Sequence, residues 1–193
     1  MLSKSGIDFQ FKNDRDYSSI SNDKEISSKI VKTRAIPQLL ALGQFTIGFL
    51  GLDLIKEAGF TEIKPILDLK LNPVRLVVAV RREQKGILIN PPKRPIVIAT
   101  EYENIAHEWA MKNNLAHIII QTWGSTEAYA PDDADIVFDN IDTGKTMEAN
   151  NLIVIDEIMH SSTCLAVNIK AYDQDEIKMK VDEIVKKLKA QIK

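Results

Sequence analysis

IVFDNIDTGKTMEANN, residues 136–151, is the stretch on which the reading of the whole chain turns. A run of β-branched and aromatic residues, Ile136-Val137-Phe138, ends on Asp139. A polar turn with Asp142, Thr143, Gly144 and Thr146 follows, and Lys145 to Asn150 is compatible with a helix. Strand, glycine turn and helix start are how an α/β fold offers backbone N–H groups to a phosphate. Thr143 and Thr146 add hydroxyl donors, and Asp139 and Asp142 suit a sugar diol or a metal on a pyrophosphate. Gly144-Lys145-Thr146 imitates a nucleotide-binding P-loop, but that motif needs a glycine where this chain has Asp139. Acid, spacer and Thr-Gly-x-Thr instead match a phosphorylated ribose with its diol. An ordinary βα turn with a polar cap has the same pattern, so the turn alone leaves both readings open.

Composition narrows the class. The chain has 193 residues, 45% hydrophobic and 27% charged, with a formal net charge of −2. These values fit an ordinary globular protein of one large domain or two small lobes. No basic excess points to nucleic acid, and the apolar runs are far shorter than a membrane span. The segment after Met1 does not read as an export leader, and the single cysteine, Cys164, lies in the apolar run TCLAVN as a small buried residue. Together these features lead us to expect a reducing cytoplasm.

Strand and helix patterns alternate along the chain. Residues 1–30 are polar, with FQF at 9–11 the one strand-like patch. Thr33 to Leu42 reads as a helix with Pro37 in its first turn and Gly43 closing it. Strands are expected at 45–50, 66–71, 75–80, 96–99, 117–122, 136–139, 152–158 and 163–167. Helices are expected at 53–58, from a Thr100 cap to Asn113, at 125–129, and at 173–192 with Val181, Ile184 and Leu188 on its apolar face. Trp109 and Trp123 read as packing residues, and His107, His117 and His160 lack metal-ligand spacing. Arg75, Arg81, Arg82, Lys85, Lys93 and Arg94 cluster about the connection 81–95, as a solvated loop or an anion-attracting rim. The pattern predicts mostly parallel sheets in two lobes, residues 1–80 with 165–193 and residues 81–164, with a ligand cleft between them.

Several segments resemble one family, the catalytic subunit of ATP phosphoribosyltransferase, which opens histidine biosynthesis. They are TRAIPQLLALGQFTIGFLGLDLIKEAG (33–59), VIATEYENIA (97–106), WGSTEAYAPDDADIVFDNIDTGKTMEANNL (123–152) and SSTCLAVN (161–168) with its closing helix. The resemblance implies a two-lobed fold like type II periplasmic binding proteins. It also implies condensation of ATP with 5-phosphoribosyl 1-pyrophosphate (PRPP), with Mg2+ carried by these substrates and no protein-held metal. It assigns Asp139, Asp142, Thr143, Gly144, Lys145 and Thr146 to PRPP. Arg34, Gly51, Asp53, Thr100, Glu101, Tyr102, Ser125 and Glu127 then border the ATP and cleft side; no catalytic residue is assigned.

Simpler readings stand beside these. Arg34 is also a solvated helix-end arginine, Glu101 a helix-dipole charge, and Ser125 a plain N-cap. The short form of the family implies a dimer and a separate regulatory subunit resembling a histidyl-tRNA synthetase. In the family a strand, a Lys-Gly-Arg turn and a helix precede the segment matching LSKSGIDFQF. Their absence predicts an incomplete first-lobe sheet, with Val181, Ile184 and Leu188 partly uncovered or covered by a partner chain. Thr46 and Asn140 stand where acids are frequent in related enzymes. A catalytically degenerate nucleotide or phosphoribosyl sensor, or a phosphoribosyltransferase with another acceptor, are the alternative functions.

Overall fold

The polar N-terminal stretch forms a small sheet of its own. The computed structural model describes residues 1–13 and 16–192. Strands β1 (Phe9–Gln10), β2 (Ser18–Ser21) and β3 (Ser27–Lys29) make an antiparallel meander. Serine-rich strands give little hydrophobic signal, which is why only the patch at 9–11 stood out in the sequence. Side chains tie the meander down instead: Lys180 pairs with Asp23 at 2.6 Å and Glu25 at 2.8 Å.

After the 3-10 turn Thr33–Ala35 come α1 (Ile36–Ala41), β4 (Ile47–Gly51) and α2 (Leu52–Ala58). Pro37 sits in the first turn of α1, where its missing N–H costs nothing, and Gly43 at φ 71 closes the helix end. The next strand, β5 (Ile63–Arg81), corrects the expectation of two strands. Lys70 at φ 54 and Asn72 at φ 48 take up the left-handed conformation that lets it bend beside Pro73 without ending. Then follow β6 (Ile96–Thr100), α3 (Glu103–Lys112), β7 (His117–Gln121), the 3-10 turn Thr126–Tyr129, β8 (Ile136–Ile141) and α4 (Lys145–Ala149). The strand β9 (Leu152–Asn168) also replaces two expected strands, its polar middle at His160-Ser161-Ser162 carrying extended backbone. Helices α5 (Ile169–Tyr172) and α6 (Asp175–Lys189) end the described chain.

Contacts divide the chain into two units, Met1–Leu71 with Ser162–Lys193, and Asn72–Ser161. In the first, β4 runs antiparallel to the end of β9, from Ile47↔Val167 to Gly51↔Thr163. Ile184 and Leu188 of α6 pack with Ile7, Leu67, Leu69 and Leu165. The apolar face of α6 is therefore covered: Val181, Ile184 and Leu188 are all buried. This corrects the expectation that they stand partly uncovered. Met1, Leu2 and Phe9 pack against the same cluster and add apolar cover.

In the second unit β6 is parallel to both β7 and β8, and β8 is antiparallel to β5 over Arg75–Ala79. The sheet is mixed, in an α/β frame as expected. Val77, Ala79, Val137, Ile141, Met147 and Leu152 form one buried cluster in this unit. Arg94 of the basic connection is not a free loop charge. It forks onto buried Asp135 with bonds of 2.6 and 2.8 Å, and Asp135 also accepts from Val97 N at 2.9 Å.

Candidate active site

Parallel strands β6, β7 and β8 end on the same edge of the second unit, and an open α/β sheet binds ligands at that edge. Thr100 ends β6 and Glu101 and Tyr102 follow it, Ser125 and Glu127 follow β7, and Asp139 to Thr146 run from the end of β8 into α4. Eleven of the residues singled out in the sequence thus converge within one unit.

The turn after β8 is held from both sides. Ile141 and Met147 are buried in the core cluster, so the segment between them is short and anchored. Gly144 has φ +80, and a Cβ there would meet only Ile141 Cδ1 at 3.8 Å. The position demands glycine through backbone conformation more than through space. Asp142, Thr143, Lys145 and Thr146 are exposed and available to a ligand. The turn is the wall between two cavities. One, of about 250 Å³, is lined by Glu127, Asp139, Asp142, Lys145 and Thr146. The other, of about 500 Å³, is lined by Arg75, Arg82, Glu148 and Asn151, and Thr143 and Gly144 face both.

Asp139 is the electrostatic centre of the smaller cavity. Burial pushes its carboxyl up from 3.8 to about 6, helped by the negative charges of Glu101 and Glu127. Two hydrogen bonds oppose the shift: Asn140 N donates at 2.7 Å, and the Thr126 hydroxyl donates as well. Thr126 is in turn bonded to Thr122 Oγ1 at 2.8 Å, and both threonines are buried. Asn140 Nδ2 donates to the hydroxyl of buried Tyr102, which joins the ends of β6 and β8. Thr122, Thr126 and Asn140 were not chosen as site residues from the sequence. A hydroxyl or amide at a strand end is a weak signal until the neighbouring strand is known.

Three local expectations change. Thr100 does not cap α3; its hydroxyl accepts from Tyr102 N at 2.8 Å and closes the turn before the helix. Ser125 precedes the 3-10 turn at φ 51 but makes no capping bond with its side chain. Trp123 is not a packing residue: it is 76% exposed, at the end of β7.

Arg34, Gly51 and Asp53 belong to the first unit. Gly51 ends β4 and starts α2, and Asp53 is buried in the first turn of α2, complementing its positive end. Gly48, beside them, is required by packing, since a Cβ would lie 2.7 Å from Ile36 Cγ2 on α1. Among the described residues no group of three or more His, Cys, Asp or Glu could hold a metal ion. A cation at the acidic cavity must bring its own oxygen ligands or share them with a substrate.

The chain is 33% identical over 179 residues to the ATP phosphoribosyltransferase of Methanopyrus kandleri, covering 92% of this chain and 62% of that protein. The Methanocaldococcus jannaschii enzyme is 31% identical over 193 residues, covering 98% and 66%. The chain thus spans less than two thirds of the length of these curated relatives. A solved chain from the ATP phosphoribosyl transferase (HisG:HisZ) complex of Thermotoga maritima superposes with a TM-score of 0.85 at 26% identity, covering 99% of this chain and 90% of that one. The family model for HisG, ATP phosphoribosyltransferase, matches residues 32–190, and the chain belongs to that family.

Proposed function

We propose that the chain is an ATP phosphoribosyltransferase, joining ATP to PRPP in the first step of histidine biosynthesis. The observation that carries this reading is the anchored turn 141–147 beside an acid-lined cavity at the C-terminal strand edge. The 5′-phosphate of PRPP sits against the N–H groups of Thr143 to Thr146 and the two threonine hydroxyls. Lys145, the one cation among the residues lining that cavity, offsets part of its charge. The ribose hydroxyls donate to Asp139 and Asp142.

In the reaction N1 of adenine bonds to the anomeric carbon, and the bond from that carbon to the pyrophosphate oxygen breaks. Positive charge grows on the ribose as pyrophosphate departs with the electron pair. Glu101, Glu127 and Asp139 place negative charge beside the sugar and favour that state. Mg2+ arrives with the substrates and neutralises the leaving group. Thr100, Tyr102 and Ser125 complete the ATP side of the site within the second unit.

Incubation with ATP, PRPP and Mg2+ should yield phosphoribosyl-ATP and pyrophosphate in equal amounts. Binding of both substrates without product would instead support a degenerate sensor, and product only with another base would support a different acceptor. For assembly we propose a dimer that works in the cytoplasm with a separate regulatory chain; the similar Thermotoga maritima chain was solved in a HisG:HisZ complex. The purified chain alone should then be insensitive to histidine.

A further inference from the structure

We propose that His107 and His117 form a surface site for a divalent transition metal, joining α3 to β7. In sequence the two are ten residues apart and match no ligand motif. In the fold His107 Nδ1 and His117 Nε2 lie 2.9 Å apart, with ring centroids 4.9 Å apart and planes tilted by 55°. Two bonds of about 2.05 Å to one ion at a right angle span roughly 2.9 Å, the separation of cis ligands in an octahedral or tetragonal complex.

A second contact fixes the chemistry of one ring. His117 Nδ1 lies 2.9 Å from the carbonyl oxygen of Leu115. That oxygen only accepts, so Nδ1 carries the hydrogen and Nε2 presents its lone pair. A ring N–H held by a backbone carbonyl is the usual outer contact of a metal-ligating histidine. Without metal, His107 Nδ1–H donates to His117 Nε2. On metal binding His107 moves its hydrogen to Nε2 by exchange with water and the rings turn so that both lone pairs meet at the ion, with no net proton change. His107 is exposed and His117 half-buried, so water completes the coordination. Imidazole nitrogen with water suits Ni2+, Cu2+ or Zn2+ rather than Mg2+ or Ca2+. Residues 107 and 117 lie outside the cavity beside Asp139, so the site is independent of the proposed activity.

Titration of the full chain with Ni2+ by calorimetry tests this. One site is expected in the unaltered protein. His107→Gln, which keeps a hydrogen-bond donor, and His117→Ala should each weaken it roughly tenfold or more. His160→Ala should leave it unchanged, because His160 is bound to Glu157 at 2.7 Å elsewhere. Circular dichroism of each variant separates loss of the ligand from loss of fold. Ni2+ should also raise the melting temperature of the unaltered chain and not that of His107→Gln. Equal Ni2+ affinity in the His107→Gln/His117→Ala double variant, or loss of binding in His160→Ala alone, overturns the assignment.

Discussion

The two ends of β8 carry aspartates four residues apart with opposite fates. Asp135, just before the strand, is 5% exposed and bound by both guanidinium nitrogens of Arg94 and by Val97 N. The Arg94 bond, aided by Val97 N and the Arg94 charge, holds its carboxyl below the usual carboxylate range against desolvation. Asp139, near the other end, is desolvated with two glutamates for neighbours and is pushed up to about 6. One end of the strand spends its charge on holding the chain together. The other keeps a carboxylate whose ionisation is opposed by burial and by two glutamates, where a ligand can reach it. Stability and ligand chemistry are thus separated along one strand, with the ligand end at the carboxyl edge of the sheet.

The largest effect should come from the ligand end. Thr143→Ala with Thr146→Ala removes two hydroxyl donors to a charged phosphate, each worth roughly 1.5–3 kcal/mol. PRPP affinity measured by calorimetry should fall accordingly while the unfolding midpoint barely moves, since both side chains are exposed. Unchanged PRPP affinity would remove the phosphate from this turn.

At the structural end, Asp135→Asn should lower unfolding free energy in urea by about 2 kcal/mol at neutral pH, through loss of charge-assisted bonds to a buried carboxylate. Because the folded-state value is depressed, this contribution is present above about pH 4 and fades as pH falls through the folded value. The gap between variant and parent should close in acid.

Asp139→Asn should act in the opposite sense. A carboxyl raised from 3.8 to about 6 stabilises the fold below pH 4 and loses that contribution as pH rises through 6. Removing the ionisation should raise stability at pH 7.5 by roughly 1–2 kcal/mol and leave it unchanged at pH 4, while turnover drops. A destabilised Asp139→Asn at pH 7.5 would break the contrast between the two ends. The smallest effect belongs to Tyr102→Phe, which deletes the acceptor of the Asn140 bond. It should cost about 1 kcal/mol of stability and loosen the link between the ends of β6 and β8.

What the sequence disclosed was local. The turn 139–146 was legible because strand, glycine and hydroxyls follow one another within a dozen residues, and its α/β setting followed from alternating patterns. The acids around it were legible by type but not by effect: the pressure on Asp139 comes first from its burial and then from Glu101 and Glu127, which follow two other strands. The bent strand β5 was read as two because Asn72-Pro73 looks like a terminator when no partner strand is known. The cover over α6 was missed because Ile7, Leu67 and Leu165 come from three distant segments. Arg94 gave no sign that its partner stands 41 residues away.

The two tryptophans turn out to be a matched optical pair. Trp109 is buried, its indole N–H donated to Asp156 at 2.8 Å and its ring edge-on to Phe138. Trp123 stands in solvent at the strand edge where substrates are proposed to arrive. Their emission should separate into a blue component indifferent to acrylamide and a red one that acrylamide extinguishes. The unlabelled protein therefore carries its own reporter of arrival at that edge and, in the same spectrum, an internal reference that shifts only when α3 comes away from its strand.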